Sequence, residues 1–271
     1  MAARPDTDLA CIAVDWSGAK SGERRKLWLA EARSGRVERL EDGRTRAELV
    51  THLVELAREL PALVVGLDFA FSFPEWFLRE RGCRSARDAW ELAAREGEDW
   101  LARRPHPFWG GSGSRRRALP QPFRRTEQDA LPIAGIQPKS VFQVLGAGTV
   151  GTGSIRGMPF LAELQDAGFA VWPFDGAARR TIVEIYPRYL TRAVDKSKLV
   201  GRNVWIANHS HGQDRALERR AASSEDAFDA FASAIAMTRH ARAFARLEPA
   251  RDERERLEGR IWRPEEEPFQ C

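Results

Sequence analysis

Two apolar runs, Cys11-Ile12-Ala13-Val14-Asp15-Trp16-Ser17-Gly18 and Leu63-Val64-Val65-Gly66-Leu67-Asp68, each close on an aspartate. Short, largely β-branched runs of this kind read as strands covered on both faces. A carboxylate at the end of such a strand is expensive to hold ionised unless something cationic stands beside it. A third acidic signal lies far downstream, in the helical stretch Glu225-Asp226-Ala227-Phe228-Asp229-Ala230-Phe231. Residues three apart share a helix face, so Asp226 and Asp229 point the same way. Ala230, Ser233 and Met237 continue that face, and mostly small side chains there permit close approach to a sheet. Phe228, Phe231 and Ile235 fall on the opposite side and need cover of their own. Two strand ends and an aspartate pair imply one shared cation site. Simpler readings stand beside this one. Acids that follow strands often cap turns, and Asp226 by itself would suit the positive end of a helix dipole. Asp229, a turn further in, is poorly explained that way.

Outward from the first run, residues 9–15, 26–32 and 36–40 read as three strands joined by short turns containing Ser17-Gly18, Ser21-Gly22 and Ser34-Gly35. Connections this short make neighbouring strands antiparallel. Thr45-Arg46-Ala47-Glu48 is a capping box that starts a helix. Leu49, Val50, Leu53, Val54, Leu56, Ala57 and Leu60 supply its apolar face, and Pro61 ends it. The buried strand 62–67 then runs parallel to the first. This order resembles the opening of the ribonuclease-H-like fold, in which the first and fourth strands end side by side. Asp15 and Asp68 are therefore expected as neighbours although 53 positions separate them. The expected architecture is α/β: a ribonuclease-H-like mixed five-stranded sheet flanked by helices.

Beyond Phe73 the pattern loosens. Residues 86–95 are helical in character, but residues 103–138 show no periodicity and hold six of the fifteen prolines. Within them Gly110-Gly111-Ser112-Gly113-Ser114 precedes Arg115-Arg116-Arg117, and Arg124-Arg125 follow. Phe108, Trp109 and Phe123 interleave with these arginines, a pattern that suits phosphate contacts with base stacking as well as it suits a bare solvated loop. Order returns with strands at 141–145, 169–172 and 181–186, a helix at 158–167, and the aspartate helix from Ser223 or Ser224 to about Phe244. No repeat or second core separates out. The reading is a single domain over residues 1–271, with a large insertion at about 74–138 and a charged, peripheral tail at 248–271.

Composition bounds the function. The chain is 43% hydrophobic and 30% charged, without an apolar run near the roughly 20 residues that span a membrane. Its first residues lack the apolar core of a signal peptide. Three cysteines without metal-like spacing argue against a disulfide framework or a zinc site. A cytoplasmic protein without a membrane partner is expected. Only five of the 43 basic residues are lysine; arginine suits bidentate phosphate contacts, although codon bias produces the same excess.

Oxygen-rich acids without a histidine or thiolate cluster suit Mg²⁺ or Mn²⁺. Such a site activates water for phosphodiester cleavage. The chain also resembles the domain of unknown function 429 family, a group of predicted nucleases. The resemblance is carried by Val14-Asp15-Trp16-Ser17-Gly18, Gly66-Leu67-Asp68-Phe69-Ala70-Phe71-Ser72-Phe73-Pro74, Gly135-Ile136-Gln137-Pro138-Lys139-Ser140, Glu184-Ile185-Tyr186-Pro187 and Asp226-Ala227-Phe228-Asp229-Ala230. The last segment is also similar to the closing helix of RuvC-type Holliday-junction resolvases. The resemblance implies that Asp15, Asp68, Asp226 and Asp229 are metal ligands and catalytic residues. It places an aspartate, Asp68, where the resolvases carry a longer glutamate. Glu184 is a further candidate ligand or a structural acid. Lys139, with Arg115, Arg116, Arg117, Arg124 and Arg125, is a candidate for holding nucleic acid. A resolvase-like role would want a two-fold homodimer.

Two rivals remain. Gly146-Ala147-Gly148-Thr149-Val150-Gly151 matches a dinucleotide fingerprint, with Asp175 downstream. Thr152-Gly153-Ser154 and Gly157 read as a continuing glycine-rich loop, where that fingerprint needs a helix. A nucleotide-binding phosphotransferase or ATPase related to actin would use this loop and Asp15-Trp16-Ser17-Gly18 for phosphates. A non-catalytic nucleic-acid-binding module is the other.

Overall fold

The computed structural model describes residues 9–110, 119–146 and 149–264. The expected meander forms from β1 (Ala10–Asp15), β2 (Trp28–Arg33) and β3 (Arg36–Glu41), paired antiparallel in sequence order. Thr45 caps α1 (Arg46–Glu59): its hydroxyl accepts from the Glu48 N–H at 3.2 Å, and the Glu48 carboxylate accepts from the Thr45 N–H at 2.9 Å. β4 (Leu63–Leu67) then lies parallel to β1, with Leu67 opposite Val14.

The chain continues through α2 (Glu75–Glu80), α3 (Ala86–Arg103), β5 (Trp109–Gly110), α4 (Arg125–Gln128), β6 (Gln143–Leu145) and α5 (Gly151–Asp166). After these come β7 (Ala170–Val171), β8 (Arg180–Glu184), α6 (Pro187–Thr191), α7 (Leu199–His209) and α8 (Arg215–Ala222). The last elements are α9 (Glu225–Arg239), α10 (Ala241–Phe244) and α11 (Glu253–Glu258). The main sheet has six strands in the order β3-β2-β1-β4-β8-β7, one more than expected. The run at 141–145 does not join it; β6 pairs with β5 in a separate two-stranded sheet. No helix among the described residues is long and apolar enough to cross a membrane.

Strand alternation sorts the core into two faces. Ile12, Val14, Val65, Leu67 and Ile182 pack with Leu53 of α1, Trp90 of α3 and Met158 of α5. Cys11, Ala13, Val64 and Val183 pack instead with Phe228, Phe231 and Ile235 of α9. α9 is thus buried on both sides, as its sequence requires, with α6 and α8 packed against it in addition to the sheet.

Three expectations change. α5 begins at Gly151, so residues 152–157 are helix and not a glycine-rich loop. Glycine weakens a helix intrinsically by about 1 kcal/mol, but here it permits contact. A Cβ at Gly157 would lie 2.7 Å from the Phe69 ring, and one at Gly97 of α3 would lie 2.6 Å from Ile155 of α5. Phe77, Trp90, Trp100 and Phe108 of the expected insertion join the same cluster as Ile12 and Val65, because four aromatics of this size bury only where the sheet covers them. Phe108, stacked on Trp100 with ring centroids 5.0 Å apart, is core and not a base-stacking platform. The described part of the tail, residues 248–264, is not peripheral either: Leu257, Ile261 and Trp262 are buried, and Ile261 bridges Glu184 at the sheet end.

Candidate metal centre at the strand ends

Asp15 is the last residue of β1, and its position in the alternation puts it on the α9 face with Cys11 and Ala13. The Asp68 N–H donates to the Val14 carbonyl at 3.1 Å, which carries the β1–β4 pairing one residue past Leu67 and holds Asp68 beside Asp15. On α9 the Ser224 hydroxyl accepts from the Ala227 N–H at 3.0 Å, fixing the first turn and with it Asp226. Asp229, one turn on, is buried; Asp15, Asp68 and Asp226 are half-buried.

Asp229 acts electrostatically on both Asp15 and Asp68, and Asp226 on Asp15 and Asp229. Burial, then the carboxylates of Asp229, Asp68 and Asp226, hold Asp15 well above the ordinary carboxylate range. Burial and Asp229 push Asp68 up to about 8. Burial raises Asp229 to about 6, with Lys196 opposing the rise. Asp226 is raised mainly by burial.

Lys196 was not singled out in the sequence. It sits in the loop between α6 and α7, and its Nζ donates to Asp229 Oδ2. Its only sequence signal is rarity, as one of five lysines in an arginine-rich chain. The other oxygen of that carboxylate, Asp229 Oδ1, is buried and has no hydrogen-bond partner. An all-carboxylate donor set with an unpaired buried oxygen fits a hard divalent cation. As the side chains stand, no three His, Cys, Asp or Glu residues among those described converge at ligand spacing.

Glu184 does not join the aspartates. Ile182 faces the α5 side of the sheet, so Glu184, two residues on, faces that side too. Its Oε2 accepts from the Phe71 N–H at 3.0 Å and from Arg124 Nη1 at 2.8 Å, and its Oε1 from Arg124 Nη2 at 2.5 Å. A metal would have to displace these bonds, which removes Glu184 from the ligand set. Arg124 is likewise corrected from a substrate-binding to a structural residue: its guanidinium is buried between Glu127 and Glu184. Arg125 pairs with Asp252 at 2.5 Å, and its N–H donates to Glu258 at 2.7 Å. Lys139 is exposed and lines the cleft described next. Arg115, Arg116 and Arg117 lie outside the described residues.

A cleft of about 640 Å³ opens over Asp68 and Lys196, with Trp16, Lys26, Lys139 and Tyr186 in its walls. Burial, then Asp68, raises the Tyr186 hydroxyl to about 12, so it stays a neutral donor. A larger hollow of about 940 Å³, beside α6 and α7, contains Asp195 as its only acid among the described residues. Of the four aspartates Asp68 alone lines the smaller cleft among the described residues, and Glu184 and Arg124 line it as well; the acid and the Lys196 ammonium, not size, mark it as the one beside the candidate site. No protein-family model, curated protein or solved structure matches the chain.

Proposed function

We propose that this chain is a Mg²⁺- or Mn²⁺-dependent nuclease of ribonuclease-H-like fold, with nucleic acid as its partner. The observation that carries the reading is the placement of Asp15 and Asp68 at neighbouring strand ends on the α9 face, with Asp229 of α9 buried, bonded to Lys196 through one oxygen and unpaired at the other. The strand order β3-β2-β1-β4-β8, with the acids at the ends of β1 and β4, supports the fold part of the proposal.

Asp15 and Asp229 would hold the cation, and Asp68 and Asp226 would complete its surroundings. Bound there, the cation lowers the pKa of water and stabilises charge on the leaving oxygen of a phosphodiester. Arg124 fixes Glu184 and, through it, the Phe71 N–H, so the segment after Asp68 is held still. Lys26, exposed at the cleft wall, would offer its ammonium group to the phosphate backbone, and Lys139 lines the same cleft.

The test is cleavage of labelled single- and double-stranded DNA, RNA, RNA–DNA hybrid and four-way junction, with and without Mg²⁺ or Mn²⁺. Metal-dependent cutting is expected for at least one substrate. Asp229→Asn and Asp15→Asn should each reduce it by about a thousandfold, the scale of losing several kcal/mol of transition-state stabilisation. Unchanged cutting in both variants sinks the reading.

One observation favours a second reading, a nucleotide-binding phosphotransferase. α5 begins at Gly151, the last glycine of the glycine-rich run; Thr152 and Gly153 of its first turn line the same cleft, and no side-chain hydrogen bond caps it among the described residues. A free helix N-terminus attracts phosphate. Saturable ATP binding without nucleic-acid cleavage would decide for this alternative.

A further inference from the structure

We propose that the site takes one divalent cation and not two, with the Lys196 ammonium standing permanently in place of the second. This rests on the metal-dependent reading above and specifies it. In a two-cation site the metals sit about 3.5–4 Å apart and share ligands, so a central carboxylate needs both oxygens for metal. Asp229 has only one to give: Oδ2 accepts from Lys196 Nζ, and Oδ1 alone is buried without a partner.

The lysine is built in rather than draped over the site. The Arg202 guanidinium, itself buried, donates to the Lys196 carbonyl at 2.6 Å and to the Ala222 carbonyl at the end of α8 at 2.9 Å. Gly201 lets the first turn of α7 press against the Asp195 backbone, where any Cβ would collide with the carbonyl. The loop is therefore pinned at Asp195 and at Lys196 itself. A tethered ammonium supplies one positive charge and up to three N–H donors. It needs no coordination geometry and cannot dissociate.

The experiment is a Mn²⁺ titration of the full chain, followed by the electron paramagnetic resonance signal of free Mn²⁺. Wild type should bind one Mn²⁺ per chain. Lys196→Met should bind two, the first about tenfold tighter or more, because a like charge has gone from a poorly screened site. Lys196→Gln carries the same expectation should the methionine variant fail to fold, and Lys196→Arg should keep the count at one. Two Mn²⁺ in wild type, or one in both wild type and the neutral variants, overturns the proposal and leaves the metal-dependent reading intact. No Mn²⁺ in any of these proteins overturns both.

Discussion

At the ends of β1, β4 and β8 the two faces of the sheet carry two groups of buried charge. On the α5 face, Arg124 directs all five of its side-chain N–H donors into bonds, to Glu127, to Glu184 and to the Glu258 carbonyl. The oxygens of Glu127 and Glu184 are all engaged, in part by the N–H groups of Arg124 and Phe71. On the α9 face, Asp229 bonds the Lys196 ammonium through Oδ2, and its Oδ1 is left buried with no partner among the described residues. A closed network has nothing left to bind. An open one of this kind holds its charge at a cost until a cation arrives from solution. Burial alone therefore does not distinguish a structural ion pair from a functional site; the count of satisfied oxygens does.

The sharpest way to break the comparison is to remove the centre of the closed network. Arg124→Met leaves Glu127 and Glu184 buried together without their cation, and should destabilise the fold by about 3–5 kcal/mol in denaturant unfolding. A loss under about 1 kcal/mol would mean the network is not closed as described. Next come two substitutions of the same chemistry with opposite expected signs. Glu184→Gln replaces an acceptor with a donor facing Arg124 and should cost about 1–3 kcal/mol. Asp68→Asn relieves repulsion and should stabilise the metal-free protein by about 1 kcal/mol at pH 8. Equal signs in the two variants would erase the distinction between the faces.

A smaller effect sharpens it. Asp68, raised to about 8, and Asp229, raised to about 6, keep protons in the native state that the unfolded chain releases near pH 4. The native state then binds more protons than the unfolded state, so this contribution to stability is full below pH 4 and falls as pH rises toward 8. Melting temperatures measured from pH 4 to 8 in chelator should decline accordingly. Adding Mg²⁺ should flatten the decline, since a bound cation favours the ionised acids. An identical slope with and without Mg²⁺ would count against a cation at this site.

Much of the aspartate side was legible because local pattern carries it. Strand length, turn residues and the Thr45 capping box ordered the first four strands, and that order predicts Asp15 beside Asp68. Helical spacing put Asp226 and Asp229 on one face. Sequence leaves Glu184 open between ligand and structural acid for a physical reason: β8 is buried on both faces, so Thr181-Ile182-Val183 gives no clear polar alternation to show which side Glu184 takes. Arg124 looked like a phosphate ligand because an arginine pair in a proline-rich stretch reads as surface. Its partner Glu184 is 60 residues away, and pairing at that distance leaves no trace in a single sequence. The glycines of α5 misled in the same way, since propensity argues against a helix that only close packing on Phe69 makes worthwhile.

What the sequence by itself determined, then, is what short-range forces encode: strand and helix periods, the caps and turns that order them, and the placement of acids at the ends of buried elements. Only the tertiary structure decided which charges neutralise one another. Coulomb energy and hydrogen bonding act through space and strengthen as water is excluded. The roles of Lys196, Arg124 and Glu184 follow from which face of one sheet each reaches.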